Sequence, residues 1–450
     1  MAKLAPFRGW RFNPAEVGDL SKVVTQPYDK IDDKLREEYL RRSEYNLVRI
    51  IKGPTTPTDT PNDNQYIRAA QFWQRWMEDR VFIREAGPAI YPYTQQYVIE
   101  GKTYIRKGLI SLVSLDDDKS KVRAHEKTLS GPKADRLRLM RATEANDGQI
   151  FMLYNDPEQK VNSLIDAELT GARPIMEVRD DFQAIHRLYR VSRPGAIQDI
   201  SDLVEKYDLF IADGHHRYET AINYMNECKS RNWKPMGVET FTWRMMTMVN
   251  MHDSGLTVLP THRLVHSLSN FDATKFLAAV AANFDVASFA DRPALYAALE
   301  AAGTAGKTAF GFSAGGGMSD LKLLTLKDPA VMDKLVEAKH SATWKRLDVT
   351  VLHIALLEKL LGIDAEKLAA ETNVHYVRGR DEALDMVGKG SQAAFLVNPT
   401  RVDQVRDVAL AGERMPQKST DFFPKLLSGM VLMKMTIDKS AGIKMWQADE

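Results

Sequence analysis

The sequence has 450 residues, which is too long for one ordinary compact domain and suggests two or three. Its 44% hydrophobic and 27% charged residues are typical of globular proteins and exclude disordered, collagenous and disulfide-stapled chains. Sixty-one Lys and Arg residues against 60 Asp and Glu residues give a net charge of +1. No overall field therefore attracts nucleic acid or an anionic membrane, and any anion site must be local.

Cysteine content and apolar runs indicate the cellular compartment. Cys228 is the only cysteine, which excludes an intramolecular disulfide and a thiolate zinc cluster within one chain. The first residues contain no apolar stretch of signal-peptide length, and the most apolar run, 276–284, is far shorter than the roughly 20 residues of a membrane-spanning helix. We expect a cytoplasmic protein with no membrane partner, and the sequence is compatible with a homodimer.

The first hundred residues predict mixed α/β structure. Asp32 or Asp33 can cap a polar helix, and the apolar run Leu47–Ile51 predicts a strand. Residues 53–62 are rich in turn formers and predict a surface loop. An aromatic helix follows. Its predicted buried stripe consists of Phe72, Trp73 and Trp76.

Strands are predicted on both sides of a turn at Glu100-Gly101-Lys102, which indicates a β-hairpin over 91–115. Further strands are predicted at 150–154, at 208–212 and at 245–251. The glycines 315–317 lie between two strand-like runs, which favours a hairpin loop over a phosphate-binding loop, because the latter should open a helix.

The most informative run is Asp213-Gly214-His215-His216-Arg217, which follows the apolar strand 208–212 and precedes a predicted helix. Glycine permits a tight turn, and the helix directs its unsatisfied N–H groups and positive dipole end at that turn. His215, His216 and Arg217 add donors suited to phosphate, and Asp213 adds a carboxylate able to hold Mg²⁺ or accept a proton. The pattern predicts an anion site.

A purely structural interpretation remains open, in which Asp213 caps the helix and the histidines are exposed or bonded in the core. A zinc site is disfavoured, because adjacent helical histidines project about 100° apart and the i, i+4 spacing is absent.

A second basic run extends from Arg123 to Arg141. Gly131-Pro132 ends the preceding segment, and proline suits the first turn of a helix. Lys133, Arg136 and Arg141 are therefore predicted near the start of one helix. Cations there oppose the helix dipole, a conflict that a bound anion would resolve. The alternative is a solvated basic face paired with Asp135 and Glu144. Within the same run, Glu126 lies between His125 and Lys127 and is a candidate general base.

The Asp213–Arg217 run resembles the phosphate-handling motif of the ParB/sulfiredoxin-like superfamily, and within it the free serine kinases, which phosphorylate the hydroxyl of free L-serine. In those kinases an upstream glutamate, often preceded by histidine, acts as the base, and His125-Glu126 matches that position. Sulfiredoxins carry a catalytic cysteine where this chain has His215, which excludes sulfiredoxin chemistry. ParB proteins carry a basic DNA-binding region, and the even charge of this chain argues against that role.

The whole chain also resembles a prokaryotic family catalogued as domain of unknown function 1015. The motifs that carry this resemblance run from residue 27 to residue 425. They are Pro27-Tyr28-Asp29, His125 to Arg136, the Asp213–Arg217 run, Leu259-Pro260-Thr261-His262-Arg263, Met415 to Thr420 and Phe423-Pro424-Lys425. The last two either place cations over the site or only attach the C-terminal segment to the body of the protein.

We predict an α/β (α+β) fold with a ParB/sulfiredoxin-like core and flanking α/β parts. The predicted ranges are an N-terminal subdomain at 1–104, a kinase-like core at 105–265 and a C-terminal domain at 266–450.

The resemblance implies a small-molecule kinase acting on free L-serine or a similar hydroxyl metabolite. The implied catalytic residues are Glu126, Asp213, His215 and His216. The implied phosphate-binding residues are Gly214, Arg217, Lys133, Arg136 and Arg141, and the implied substrate-binding residues are His125, Thr128 and Arg123. Asp213 is the implied Mg²⁺ ligand. The phosphoryl donor is ATP, ADP or pyrophosphate, since no GxxxxGK[ST] run identifies a nucleotide loop. The alternatives are a phosphatase or phosphotransferase acting on another phosphorylated metabolite, and a non-catalytic ParB-like protein that binds nucleotide or DNA.

Overall fold

The computed structural model describes residues 3–115, 122–124, 130–315 and 320–440. Contacts divide the chain into two compact units. The first unit takes its described residues from Met1–Arg123, Thr128–Leu256 and Pro424–Glu450, and the second from Ala124–Lys127 and Thr257–Phe423. The second unit is therefore inserted, in sequence, between two parts of the first.

The secondary structure alternates short strands and helices. The strands of the described residues are β1 (Leu4–Ala5), β2 (Trp10–Phe12), β3 (Phe82–Arg84), β4 (Tyr91–Ile99), β5 (Lys102–Ser114), β6 (Val122–Arg123), β7 (Ala145–Asn146), β8 (Ile150–Tyr154), β9 (Met176–Arg179), β10 (Ile185–Leu188), β11 (Leu209–Asp213), β12 (Lys234–Pro235), β13 (Trp243–Asn250), β14 (Thr257–Leu259), β15 (His262–Val265), β16 (Phe284–Ser288), β17 (Ala309–Ser313), β18 (Lys322–Leu326), β19 (Val374–Val377), β20 (Ala393–Val397), β21 (Asp421–Phe423), β22 (Met433–Lys434) and β23 (Ile437–Asp438). The helices are α1 (Pro14–Val17), α2 (Asp33–Arg42), α3 (Val48–Ile51), α4 (Gln65–Glu78), α5 (Ser130–Thr143), α6 (Lys160–Leu169), α7 (Pro194–Val204), α8 (His215–Ser230), α9 (Ala273–Val280), α10 (Arg292–Thr304), α11 (Val331–Leu335), α12 (Ala342–Lys345), α13 (Asp348–Val351), α14 (Lys359–Leu361), α15 (Ala365–Ala369), α16 (Arg380–Asp385) and α17 (Val402–Leu410). Short 3₁₀ helices cover Leu20–Lys22 and Tyr28–Lys30, and a π-helical segment, Leu352–Glu358, joins α13 to α14.

A mixed sheet organises the first unit. Its strand order is β6-β11-β8-β13-β5-β4-β10-β9, with β1 paired to β5. β8 runs antiparallel to β11 and parallel to β13, and all five of its residues are buried. β4 and β5 form the predicted hairpin, with Ile99 opposite Lys102, so the hairpin prediction is confirmed. The predicted α/β class is also confirmed, since helices accompany a sheet in each unit.

Apolar and aromatic side chains pack the N-terminal helices of the first unit into a core. The Asp32 carboxylate accepts a hydrogen bond from the Leu35 backbone N–H at 2.7 Å and caps α2, as predicted. On α4, Trp73 and Trp76 are buried as predicted, whereas Phe72 is only partly buried. The Trp73 ring lies 4.7 Å from the Phe82 ring and links α4 to β3.

The prediction of a strand at Leu47–Ile51 is wrong, because Val48–Ile51 forms the short helix α3. A short apolar run does not distinguish a buried strand from a buried helix turn by periodicity alone. The local polar chemistry decides: the Asn46 side chain accepts a hydrogen bond from the Val48 backbone N–H at 3.0 Å and begins the turn.

The second unit contains a sheet with the order β16-β18-β17-β20-β15-β19. One apolar cluster includes Phe276, Phe312 and Phe395, and another includes Leu264 and Leu299. β17 and β18 pair antiparallel, which confirms hairpin strands on either side of the glycine run. Gly316 and Gly317 lie outside the described residues.

After the second unit, the C-terminal segment returns to the first. β22 pairs with β7 and β23 pairs with β12. The buried Gln95 side chain donates to the Lys425 carbonyl at 3.0 Å, and the buried Arg106 guanidinium donates to the Pro424 carbonyl. Side chains of the central hairpin thus fix the segment that carries Lys425.

The contacts divide the chain differently from the three predicted ranges. The predicted boundary after residue 104 falls inside β5, whose hydrogen bonds to β4 hold both sides in one sheet. The boundary after residue 265 follows β15, which belongs to the second unit, and 424–440 belong to the first unit rather than to a C-terminal domain. A linear division misses both because the chain leaves the first unit and comes back. Within the described ranges, no helix combines the length and apolar character needed to cross a membrane.

Candidate functional site

The turn after β11 lies at the centre of the candidate site. The first four residues of β11 are buried, and Asp213 is half-buried at its end. Gly214 has φ 97°, a backbone conformation that glycine adopts without steric cost, and α8 begins at the next residue. The predicted strand, turn and helix are therefore confirmed. The positive dipole end of α8 therefore lies at the same turn as the Asp213 carboxylate.

Two buried cations flank the Asp213 carboxylate. Arg217 Nη2 donates to Asp213 Oδ2 at 2.8 Å, one helical turn away. Lys425 Nζ lies 3.8 Å from Asp213 Oδ1. The Arg217 and Lys425 side chains are 9% and 8% exposed, whereas that of Asp213 is 24% exposed and remains open to a ligand.

These charges keep Asp213 ionised. Burial raises the pKa of the Asp213 carboxyl, but the positive charges of Lys425 and Arg217 outweigh that effect, and the pKa falls to about 2. Lys30 and His215 contribute in the same direction. Because the folded-state pKa lies below that of the unfolded chain, the ionised carboxylate stabilises the fold above about pH 4, and this contribution is lost as the pH falls through about 2.

Arg217 also connects the turn to the neighbouring strand. Its Nη1 donates to the Gln149 carbonyl, just before β8. A Cβ atom built on Gly214 would lie 3.1 Å from Arg217 Nε and 3.2 Å from Arg217 Cζ. The absence of a side chain at Gly214 therefore lets Arg217 fold back over the turn.

We expect Gly214→Ala to destabilise the protein by about 2 kcal/mol, because alanine is strained at this φ and its Cβ displaces Arg217. The control is Gly237→Ala, where φ is 75° and no heavy atom lies within 4 Å of the added Cβ. That variant has the backbone strain alone, worth about 1 kcal/mol. Urea unfolding measures both losses, and equal losses would contradict the close fit of Arg217 over Gly214.

The two histidines of the motif have different environments. His215 is 4% exposed, and its charge helps to lower the pKa of Asp213. His216 is half-buried. Burial lowers the pKa of the His216 imidazole, and the nearby charges of Lys133 and Arg217 lower it further, which favours the neutral ring at neutral pH.

Residues 130–141 of the second basic run lie on α5, and the three predicted site cations among them have carboxylate partners. Lys133 Nζ donates to Glu219 Oε2 on α8 at 2.9 Å. Arg136 Nε donates to Asp135 Oδ2 at 2.8 Å, and its guanidinium lies 4.2 Å from the Tyr28 ring centroid. The pairing with Asp135 agrees with the alternative of a charge-paired basic face.

Two predicted site residues lie away from the turn. The placement of Arg141 near the start of the helix is wrong: it lies in the last turn of α5 and pairs with Glu227 at 2.7 Å. The helix begins at Ser130, so residue 141 falls about three turns later. Arg123 lies on β6 opposite Phe210 and pairs with Asp208, at the other end of β11 from Asp213. His125, Glu126 and Thr128 lie outside the described residues.

The described residues contain no group of three or more His, Cys, Asp and Glu side chains that could hold a metal ion. Asp213 is an ionised carboxylate, as Mg²⁺ requires, and its Oδ1 is beyond hydrogen-bond distance of Lys425. It therefore fits Mg²⁺ as a single protein ligand, in the manner of sites that the phosphates of a substrate complete.

The sequence pointed only indirectly to some residues near the turn. Lys425 belongs to the Phe423-Pro424-Lys425 motif, for which cations over the site were one of two alternatives, and its position 3.8 Å from Asp213 agrees with that alternative. Lys30 follows Pro27-Tyr28-Asp29 and was not assigned to the site. Arg244 on β13 was missed, although a charged residue in the apolar run WRMMTMVN is a signal in itself. His262 and Arg263 are buried on β15 in the second unit.

A profile of the family described as "protein of unknown function (DUF1015)" matches residues 4–350. The chain belongs to this DUF1015 family. The resemblance drawn from the sequence motifs is thereby confirmed. Among curated proteins, no sequence matches this DUF1015 member.

Several solved structures are similar to this DUF1015 chain. A mutant free serine kinase in complex with ADP is 11% identical, with 70% of this chain and 87% of that chain covered and a TM-score of 0.34. A conserved hypothetical protein from Pyrococcus furiosus is 13% identical, with 70% and 92% covered and a TM-score of 0.33. SbnI with a C-terminal truncation, from Staphylococcus aureus, is 10% identical, with 71% and 85% covered and a TM-score of 0.33.

Proposed function

We propose that the protein is a small-molecule kinase that transfers a phosphoryl group to the hydroxyl of free L-serine or a similar metabolite. The observation that carries the proposal is the ionised Asp213 carboxylate, held between Arg217 and Lys425 at the glycine turn that opens α8. Phosphoryl transfer depends on positioning and on stabilising charge, and this turn supplies a carboxylate, cations and the positive end of a helix dipole together.

The motif residues have distinct roles in this proposal. The N–H groups at the start of α8 and the Arg217 and Lys425 side chains stabilise charge on the transferring phosphoryl group. The imidazole of His216, which has a lowered pKa and is neutral, donates or accepts a hydrogen bond at the rim of the turn. Glu126, assigned by the motif resemblance, removes the proton from the acceptor hydroxyl.

In this proposal, Asp213 and the phosphoryl donor would together bind a Mg²⁺ ion. The donor's phosphate oxygens would complete the coordination of an ion bound to Asp213, and the ion would neutralise charge on those phosphates. ATP, ADP and pyrophosphate all present the oxygens required.

The direct test incubates purified protein and Mg²⁺ with each of the three donors plus L-serine and detects O-phosphoserine by mass spectrometry. We expect turnover with at least one donor. If phosphate is released without phosphoserine, the reaction is that of a phosphatase, and if no donor gives either product beside an active control kinase, the proposal fails.

The role of the base is tested with Glu126→Gln, which removes the carboxylate and keeps its shape. We expect kcat to fall by about a hundredfold or more, the usual effect of losing a general base. Glu158→Gln is the control, since Glu158 pairs with Lys160 at an exposed position. A Glu126→Gln variant as active as the control would remove the base from the proposal.

A further inference from the structure

A cavity of about 50 Å³ lies within the first unit, and Arg217 forms part of its wall. A single water requires only about 10–15 Å³ of such space, so the cavity has room for a small ligand. Its wall combines arginines, one carboxylate, the Thr220 hydroxyl and a group of apolar side chains.

Positive charge exceeds negative charge in this wall. Three arginines line the cavity with one carboxylate, Asp147. Arg136 already pairs with Asp135, and Arg217 with Asp213. The Asp147 carboxylate accepts a hydrogen bond from Trp73 Nε1 at 2.8 Å, and within the described residues it forms no ion pair with an arginine of the wall. The third arginine, Arg244, is therefore the least compensated cation of the wall.

Arg244 is 3% exposed and makes one hydrogen bond, from Nη2 to the Gly148 carbonyl at 2.9 Å. Its Nε and Nη1 have no hydrogen-bond partner, and across the described residues it makes no ion pair. Burial and the charge of Arg217 lower the pKa of Arg244 to about 9, although the charge of Asp147 acts in the opposite direction. A buried guanidinium with open donors and no anion in direct contact is costly, and such groups are normally paired.

Two further donors in the same wall are open. Arg217 Nε and Thr220 Oγ1 are buried and have no hydrogen-bond partner. Both residues lie on α8, while Arg244 lies on β13, so the open donors come from two different elements that line the cavity.

We propose that this cavity binds one small oxyanionic group, a carboxylate or a phosphate-type anion, between Arg244, Arg217 and Thr220. The anion places a negative counter-charge in contact with the Arg244 guanidinium and accepts hydrogen bonds from the open N–H and O–H donors. The apolar part of the wall, formed by Ile51, Leu139, Met140 and Ala145, limits the ligand to a compact one. Water molecules would accept the hydrogen bonds but would not give Arg244 an anion in direct contact. The inference does not depend on phosphoryl transfer at the turn.

The test measures dissociation constants by calorimetry on the full chain with acetate, L-serine, inorganic phosphate and sulfate, each against chloride at matched ionic strength. Arg244→Lys keeps the charge and removes donors, and we expect it to weaken binding about tenfold or more. Thr220→Val removes a hydroxyl that has no partner in the free protein, so the variant should fold normally and bind about threefold or more weakly. Arg406→Lys, at an ion pair with Asp407 in the second unit, is the control.

The anions distinguish the two sources of the group. Binding of acetate and L-serine that both variants weaken supports a carboxylate ligand, and binding of phosphate and sulfate that both variants weaken supports a phosphate-type ligand. If Arg244→Lys does not fold, Thr220→Val decides alone. The proposal is overturned if no anion binds more tightly than chloride, or if Thr220→Val binds as the native protein does.

Discussion

We expect Asp213→Asn to lower kcat of the proposed phosphoryl transfer by at least about a hundredfold, in the range seen when a single charge-stabilising group is removed from an active site. The amide cannot hold Mg²⁺ as a carboxylate does. The same change removes the counter-charge of Arg217 and Lys425, both less than a tenth exposed. Breaking a buried pair costs about 3–5 kcal/mol, and because Asp213 is partly exposed we expect a loss of about 2 kcal/mol in unfolding free energy.

Asp208→Asn is the matched control for that variant. Asp208 immediately precedes β11, and its partner Arg123 is 46% exposed. The same chemical change at the other end of one strand should leave kcat unaltered and cost less than about 0.5 kcal/mol. Steady-state kinetics measure kcat of both variants, and urea unfolding measures their unfolding free energy. Equal losses of activity would show that the Asp213 carboxylate has no special role.

The second large effect is expected for Arg217→Met, which keeps most of the side-chain volume and removes the guanidinium. The variant loses the ion pair with Asp213 and the hydrogen bond to the Gln149 carbonyl, and leaves Lys425 as the remaining close cation of the turn. We expect the unfolding free energy at neutral pH to fall by about 3 kcal/mol.

The Arg217→Met variant also has a pH signature. Arg217 is one of the two largest causes of the lowered pKa of Asp213, so without it the folded-state pKa rises toward the ordinary value. The stability difference between native and variant protein is then greatest above about pH 4 and shrinks as the pH falls toward about 2, where the carboxylate takes up a proton in both. Unfolding free energies of both proteins, measured across that pH range, test whether the stability difference shrinks as the pH falls.

Arg231→Met supplies the comparison at the opposite end of the same helix. Arg231 forms an i, i+4 pair with Glu227 at 2.9 Å, as Arg217 does with Asp213, but its side chain is 54% exposed. Exposed pairs of this type contribute about 0.5 kcal/mol or less. A loss in Arg217→Met no larger than that in Arg231→Met would contradict the buried role of Arg217.

Local sequence chemistry predicted the features that depend on neighbouring residues. The strand, glycine turn and helix around Gly214 follow from an apolar run, a residue free to adopt positive φ and a polar helix start. The Asp32 cap and the hairpin at residue 100 are equally local. Leu47–Ile51 was mispredicted because four apolar residues fit either a strand or a helical turn, and only the Asn46 hydrogen bond selects the helix.

The environment of the turn could not be predicted in the same way. Lys425 reaches Asp213 from more than two hundred residues away, and Arg244 reaches the cavity from a different strand. The charge-paired state of Lys133 depends on Glu219, which lies 86 residues further along the chain. Composition and spacing report which side chains exist, whereas their counter-charges are set by packing between distant segments.

The return of 424–440 to the first unit has a consequence for synthesis of the protein on the ribosome. Asp213 and Arg217 emerge together, but Lys425 follows only after the whole of Thr257–Phe423 has been made. At about 5–20 residues per second, synthesis of the chain from Arg217 to Lys425 takes roughly 10–40 s. During it the nascent chain holds an Asp213 turn with one of its two cations, while the strand partners of β7 and β12 are still missing. A chaperone or a nascent-chain protease would therefore meet the first unit in an incomplete form, and the turn acquires Lys425 only after the second unit has been synthesised.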